Sequence, residues 1–126
     1  MKQSLLVVDD EPSIRLILEH YFSLTYQVVV KSNGLEAMAW LEEGNIIDAI
    51  VADFEMPYMN GLDFIKQLRA SEQYKNIPLI MLSGKEESAN KILCLKCGAD
   101  DYMIKPFNPE ELEVRIHNVL KRVQIS

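Results

Sequence analysis

Short apolar runs alternate with amphipathic stretches along the chain. Leu5, Leu6, Val7 and Val8 form an unbroken run, as do Ala49, Ile50, Val51 and Ala52, and Leu79, Ile80, Met81 and Leu82. Unbroken runs of this length mark strands buried on both faces, as in a parallel sheet. Strands are expected near 4–9, 26–31, 46–52, 77–82 and 101–104. Ile14, Ile17, Leu18 and Tyr21 follow i, i+3, i+4, i+7 spacing and predict a helix over 12–24. Leu35, Met38 and Leu41 put one stripe on 34–43, with Gly44 as the C-terminal stop. Leu62, Ile65 and Leu68 do the same for 61–71, and Ala89, Ile92 and Leu93 for 86–97, which stops at Gly98. The last helix starts with Asn108 as N-cap, Pro109 in the first turn and Glu111 at capping-box spacing. Its buried stripe is Leu112, Ile116, Val119 and Leu120.

Five β-α units in strict alternation argue for a doubly wound α/β fold with a central parallel sheet. Ligands of such folds bind beyond the C-terminal ends of the strands, where strand order reverses. Asp9 and Asp10 follow the first run, Asp53 the third, Ser83 the fourth and Lys105 the fifth. The fold would therefore gather three carboxylates, a hydroxyl and an amine at one sheet edge. Two like charges about 4 Å apart repel by roughly 4 kcal/mol at an effective dielectric of about 20, so three mutual pairs reach ~12 kcal/mol. Protons or cations must relieve that repulsion. Lys105 supplies one positive charge; Mg2+, which takes carboxylate oxygens and favours phosphate sites, would supply two more. Each residue has a plainer reading. Asp10 could cap the helix near Pro12, Asp53 could form a turn, Ser83 could cap the next helix, and Lys105 could be a solvated amine. Their shared place at strand ends favours a Mg2+ and phosphoryl site.

The 126 residues fit one domain, 1–126, and 48% hydrophobic content is enough for a core. A net charge of −6 without a basic stripe argues against direct nucleic-acid binding. No apolar run is long enough to cross a membrane, and the N-terminus lacks a signal peptide, so a cytoplasmic location is expected. Cys94 and Cys97 form a C-x-x-C near a helix C-terminus, away from the end whose dipole activates thiols. No second pair or nearby histidine completes a zinc site. His20 and His117 fall on helices without ligand partners nearby and read as structural or surface residues.

The segments "VVDDEP", "DFEMPYMNGLDF", "MLSG" and "GADDYMIKPF" stand in an order and spacing that resemble the receiver domain of two-component response regulators. The resemblance covers nearly the whole chain, with its core over about 3–122. It implies a (βα)5 flavodoxin-like fold with a five-stranded parallel sheet of order 2-1-3-4-5. It further implies that Asp53 accepts a phosphoryl group from a sensor histidine kinase or a histidine phosphotransfer protein. Asp10 would bind Mg2+ directly, Asp9 largely through water, and the Glu55 backbone carbonyl would be a further ligand. Ser83 would be the switch hydroxyl, Tyr102 the switch aromatic and Lys105 the partner of the phosphoryl group; the Lys105–Pro106 bond matches a cis position. The implied role is signalling, not enzymatic, in a domain that assists its own phosphorylation and dephosphorylation.

Some details are specific to this chain. Gly84 replaces a usual alanine, and Glu55 and Lys85 could pair over the phosphoryl group. The C-terminal segment resembles regulators in which the receiver precedes a winged-helix domain. In that group charges on the fourth helix, fifth strand and fifth helix pair across a phosphorylation-dependent homodimer. Lys91, Asp101, Glu111 and Arg115 hold such positions, while Lys96 stands where an acid is usual. Two other readings compete: a Mg2+-dependent phosphatase with an aspartyl nucleophile, and a receiver-like module that binds without phosphorylation. Phosphatases of that kind usually carry D-x-D after the first strand, and here the acids are adjacent. A non-phosphorylated module would lack the acceptor, the acid pair or the lysine, and all are present.

Overall fold

The computed structural model describes residues 2–84 and 88–125, so Lys85 and its expected pairing with Glu55 lie outside the described residues. In chain order the elements are β1 (Ser4–Val8), α1 (Pro12–Phe22), β2 (Gln27–Lys31), α2 (Gly34–Glu42), β3 (Ala49–Asp53), α3 (Gly61–Ala70), β4 (Leu79–Ser83), α4 (Ser88–Lys96), β5 (Asp101–Ile104) and α5 (Pro109–Ile125). The strands form one parallel sheet of order β2-β1-β3-β4-β5, as the resemblance implied.

Successive strand residues point to opposite faces, so each run feeds two cores. Leu6, Val8, Ile50, Ala52, Leu79, Met81 and Tyr102 pack with Ala37, Leu41, Phe64, Leu68 and Cys94 on the α2, α3 and α4 side. Leu5, Val7, Val51, Ile80, Leu82 and Met103 pack with Leu18, Phe22, Leu112, Ile116 and Val119 on the α1 and α5 side. This two-faced demand is why the central strands read as unbroken apolar runs. Gly44 (φ 97°) and Gly98 (φ 112°) end α2 and α4 as expected.

Three helical stripes sit in a different phase from the expected one. Ile17 is 50% exposed and Leu35 56%, while Leu18, Phe22, Ala37, Met38 and Leu41 are buried. On α4, Ile92 and Leu93 face outward and Cys94 is fully buried. Small side chains let a helix approach the sheet closely, so Gly34, Ala37, Gly61 and Cys94 take inward positions that bulkier neighbours leave. The α5 stripe is buried as expected, and Asn108 caps the helix by accepting the Glu110 N–H at 2.8 Å.

Candidate functional site

Register brings the polar strand ends together. Val8 lies level with Ala52, so Asp9 and Asp53 emerge from adjacent strands. Asp53 lies level with Leu82 and Ser83 with Ile104, which sets Ser83 and Lys105 on the other side of β3. The result is a cleft of about 600 Å³ lined by Asp10, Glu11, Asp53, Phe54, Glu55, Met56, Pro57, Asn60, Gly84 and Lys105.

Lys105 is the hub. Its Nζ lies 3.0 Å from Asp9 Oδ2, 3.3 Å from Asp53 Oδ2 and 3.4 Å from Glu11 Oε1. Burial draws its pKa down, but the Asp9 and Asp53 carboxylates outweigh that and leave it above the ordinary lysine value. Asp9 is fully buried; its Oδ1 accepts the Glu11 N–H at 2.9 Å and its carbonyl accepts from Arg15 Nη1 at 2.7 Å. Asp9 Oδ2 is enclosed and meets Lys105 at ion-pair distance without good hydrogen-bond alignment.

Asp53 titrates at about 7 rather than 3.8. Burial is the largest cause and the Asp9 charge the next, against the opposing pull of Lys105 and of the Glu55 N–H, which lies 3.4 Å from Oδ1. The fold therefore relieves part of the carboxylate repulsion by keeping this group poised between protonated and ionised. Asp10 is exposed, and Asp9, Asp10 and Asp53 each place a carboxylate oxygen within 4.8 Å of the others. Asp10 does not cap α1: Glu11 holds the N-cap position and makes no side-chain cap bond, because Pro12 begins the helix one residue later. The donor set is all hard oxygen, and Asp9 Oδ2 lacks a hydrogen bond, so these residues suit a hard divalent cation.

Ser83 is fully buried at the end of β4, and Tyr102 is 6% exposed on β5, packed inward with the α2 and α3 core. The Lys105–Pro106 peptide is cis. The four charges proposed for a dimer face divide. Arg115 binds Asp101 at 2.8 Å and Glu111 at 3.0 Å within the same chain, whereas Lys91 stands exposed on α4. On the same three elements, α4, β5 and α5, Ile92, Leu93, Leu95, Ile104 and Val114 are exposed. Cys94 is buried, and burial followed by the neighbouring Cys97 pushes its thiol up to about 11, which makes it a poor nucleophile at neutral pH.

Three residues of the site escaped the reading of strand ends. Glu11 reaches Lys105; its signal was the third acid in "DDEP". Asn60 caps α3 by accepting the Asp63 N–H at 2.8 Å and also lines the cleft. Gly61 lies so close behind Asp53 that a Cβ there would run into the Asp53 carbonyl and come within 2.7 Å of Met81 Sδ. An Asn-Gly pair ahead of an amphipathic stretch was the available signal for both.

Known proteins resemble this chain over nearly its whole length. The family described as response regulator receiver domain matches residues 5–117. The alkaline phosphatase synthesis transcriptional regulatory protein PhoP of Bacillus subtilis (strain 168) is 40% identical over 100% of this chain and 52% of its own length. The response regulator SaeR of Staphylococcus aureus (strain USA300) is 42% identical over 95% of this chain and 51% of its own length. The chain thus spans about half the length of these relatives. Among solved structures, the receiver domain of Francisella response regulator 1452 superposes with a TM-score of 0.88 at 37% identity, covering 97% of this chain and 99% of that one. The receiver domain of sensor histidine kinase PA1611 from Pseudomonas aeruginosa PAO1, which has a magnesium ion coordinated in its active site cleft, superposes with a TM-score of 0.86 at 29% identity, covering 96% and 99%.

Proposed function

The chain belongs to the receiver domain family of two-component response regulators, and from that premise we propose that Asp53 is its phosphoacceptor. The observation that carries this assignment is the placement of Asp53: a buried carboxylate between Asp9 and Lys105, on the floor of the cleft. Receiver domains of response regulators are phosphorylated by histidine kinases. The donor here is a phosphohistidine of a sensor histidine kinase or a histidine phosphotransfer protein. An ionised Asp53 oxygen forms a bond to phosphorus as the phosphorus–nitrogen bond breaks, and the imidazole leaves with the electron pair. Transfer of this kind spreads charge over three equatorial oxygens and asks the protein for position and positive charge. Lys105, already 3.3 Å from Asp53 Oδ2, follows the new charge, and the Ser83 hydroxyl at the neighbouring strand end donates to a phosphoryl oxygen.

Asp9, Asp10, Asp53 and the Glu55 carbonyl would hold Mg2+, which when bound neutralises negative charge on the acids and on the transferring group. Asp10 is the exposed acid and suits direct ligation, while the buried Asp9 serves chiefly to hold Lys105.

The signal leaves through Ser83, Tyr102 and the α4-β5-α5 surface. Contacts that favour the phosphorylated site bias a two-state equilibrium of this surface. Its exposed apolar side chains and the Asp101, Glu111 and Arg115 cluster suit a homodimer, with Lys91 at its edge. Residues 1–126 act as one receiver unit in the cytoplasm, and its acidic surface takes no part in binding nucleic acid.

Incubation with acetyl phosphate and Mg2+, followed by intact mass, tests the assignment. Wild type should gain one phosphoryl group and Asp53→Asn none. Equal gain in both would move the acceptor elsewhere, and no gain in wild type would refute phosphorylation.

A further inference from the structure

We propose that Glu11 is a positioning residue for phosphoryl acceptance, one that holds the Lys105 ammonium at the cleft mouth and yields it to the incoming group. The inference rests on Asp53 being the acceptor. The side chains that cap helix N-termini well are the short ones, Ser, Thr, Asp and Asn, and a longer glutamate at that position is left to reach elsewhere. Glu11 occupies that position on α1 and makes no side-chain cap bond. Its carboxylate instead lies 3.4 Å from the ammonium of Lys105, 94 residues away. The backbone is fixed on both sides: Asp9 Oδ1 accepts the Glu11 N–H at 2.9 Å, and the Glu11 carbonyl accepts the Arg15 N–H at 3.1 Å. Asp9 thus holds both Lys105 and the backbone that aims Glu11 at it.

The three carboxylates around Lys105 differ in exposure, with the Asp9 side chain at 0%, Asp53 at 5% and Glu11 at 55%. A water-screened pair is weaker than an enclosed one. When Lys105 swings towards a phosphoryl oxygen, the Glu11 contact is the one that opens. Until then Glu11 restrains the ammonium and adds a negative charge beside the path of an anionic donor.

Glu11→Gln keeps the shape and removes the charge. Its second-order rate constant for labelling by acetyl phosphate at saturating Mg2+ should rise about threefold at low salt, the size of one rim charge acting through water. The gain should vanish at high salt as screening grows. Without metal or donor, the side-chain 15N resonance of Lys105 should shift in Glu11→Gln. Glu11→Asp keeps the charge but shortens the reach, and should shift the resonance the same way. Equal labelling rates at low salt, or an unmoved Lys105 resonance, overturns the proposal. If wild type takes no phosphate, Asp53 fails as acceptor, and the resonance still decides whether Glu11 holds the ammonium.

Discussion

Replacing Asp53 by asparagine should stabilise the domain, by an amount that depends on pH. The carboxyl titrates at about 7 in the fold against 3.8 for the ordinary group, because burial and Asp9 disfavour its charge more than Lys105 favours it. Below 3.8 both folded and unfolded chains carry the proton and nothing is lost. Between 3.8 and about 7 the unfolded chain releases the proton and the native chain keeps it, so wild-type stability falls as pH rises. Above 7 both are ionised and the native state bears the whole penalty of about 4 kcal/mol. The amide introduced by Asp53→Asn carries no charge, keeps the volume and still offers an oxygen to Lys105. The variant's advantage should therefore grow by about 1.4 kcal/mol per pH unit across that window and level off above it.

Urea unfolding of both proteins from pH 5 to pH 8.5 in a chelator, fitted with a common slope, measures the difference. Adding Mg2+ at pH 8 should raise the wild-type midpoint and move the variant much less, since the cation relieves the same repulsion. An advantage that is absent at pH 8, or constant across the range, would refute the electrostatic account of the site.

Other substitutions probe the frame around Asp53. Gly61→Ala forces a methyl group against the Asp53 carbonyl and Met81, and should lower stability by about 1–3 kcal/mol while slowing labelling by acetyl phosphate. Arg69 donates to the carbonyls of Gly98, Lys75 and Ile77 at 3.0, 3.1 and 2.6 Å, so Arg69→Met should cost roughly 2–4 kcal/mol in thermal or urea unfolding and leave labelling of the folded protein intact. Maleimide should modify half-exposed Cys97 well before buried Cys94 in the native protein, and the two should react alike after unfolding.

The central strands were legible because a strand covered on both faces needs apolar residues at consecutive positions, as at 49–52 and 79–82. Helix phase was less legible. Leu35 and Ala37 compete for the inward face of α2, and hydrophobicity alone favours the leucine; close approach to the sheet favours the alanine. The same competition turns Ile92 and Leu93 outward and Cys94 inward on α4. The site residues were visible as polar interruptions at run ends. Glu11 was not, because its role depends on a lysine 94 residues away that only the assembled sheet edge brings close.

The adjacent acids Asp9 and Asp10 show how one strand end serves two purposes. Both lie just past Val8, the last residue of β1, and their carboxylates converge to within 4.8 Å. Asp9 is enclosed and meets Lys105; Asp10 lines the cleft and stays exposed. An enclosed carboxylate is tolerable only beside a fixed cation, so Asp9 ties Lys105 to the site whatever the charge on Asp53. The exposed acid carries no such requirement and remains free to exchange water for a metal ion. Exchanging the two environments would leave Lys105 anchored to a solvated, screened partner and bury an uncompensated charge. Two identical neighbouring residues therefore sit in two different environments, and Asp9→Asn should release Lys105 where Asp10→Asn should not.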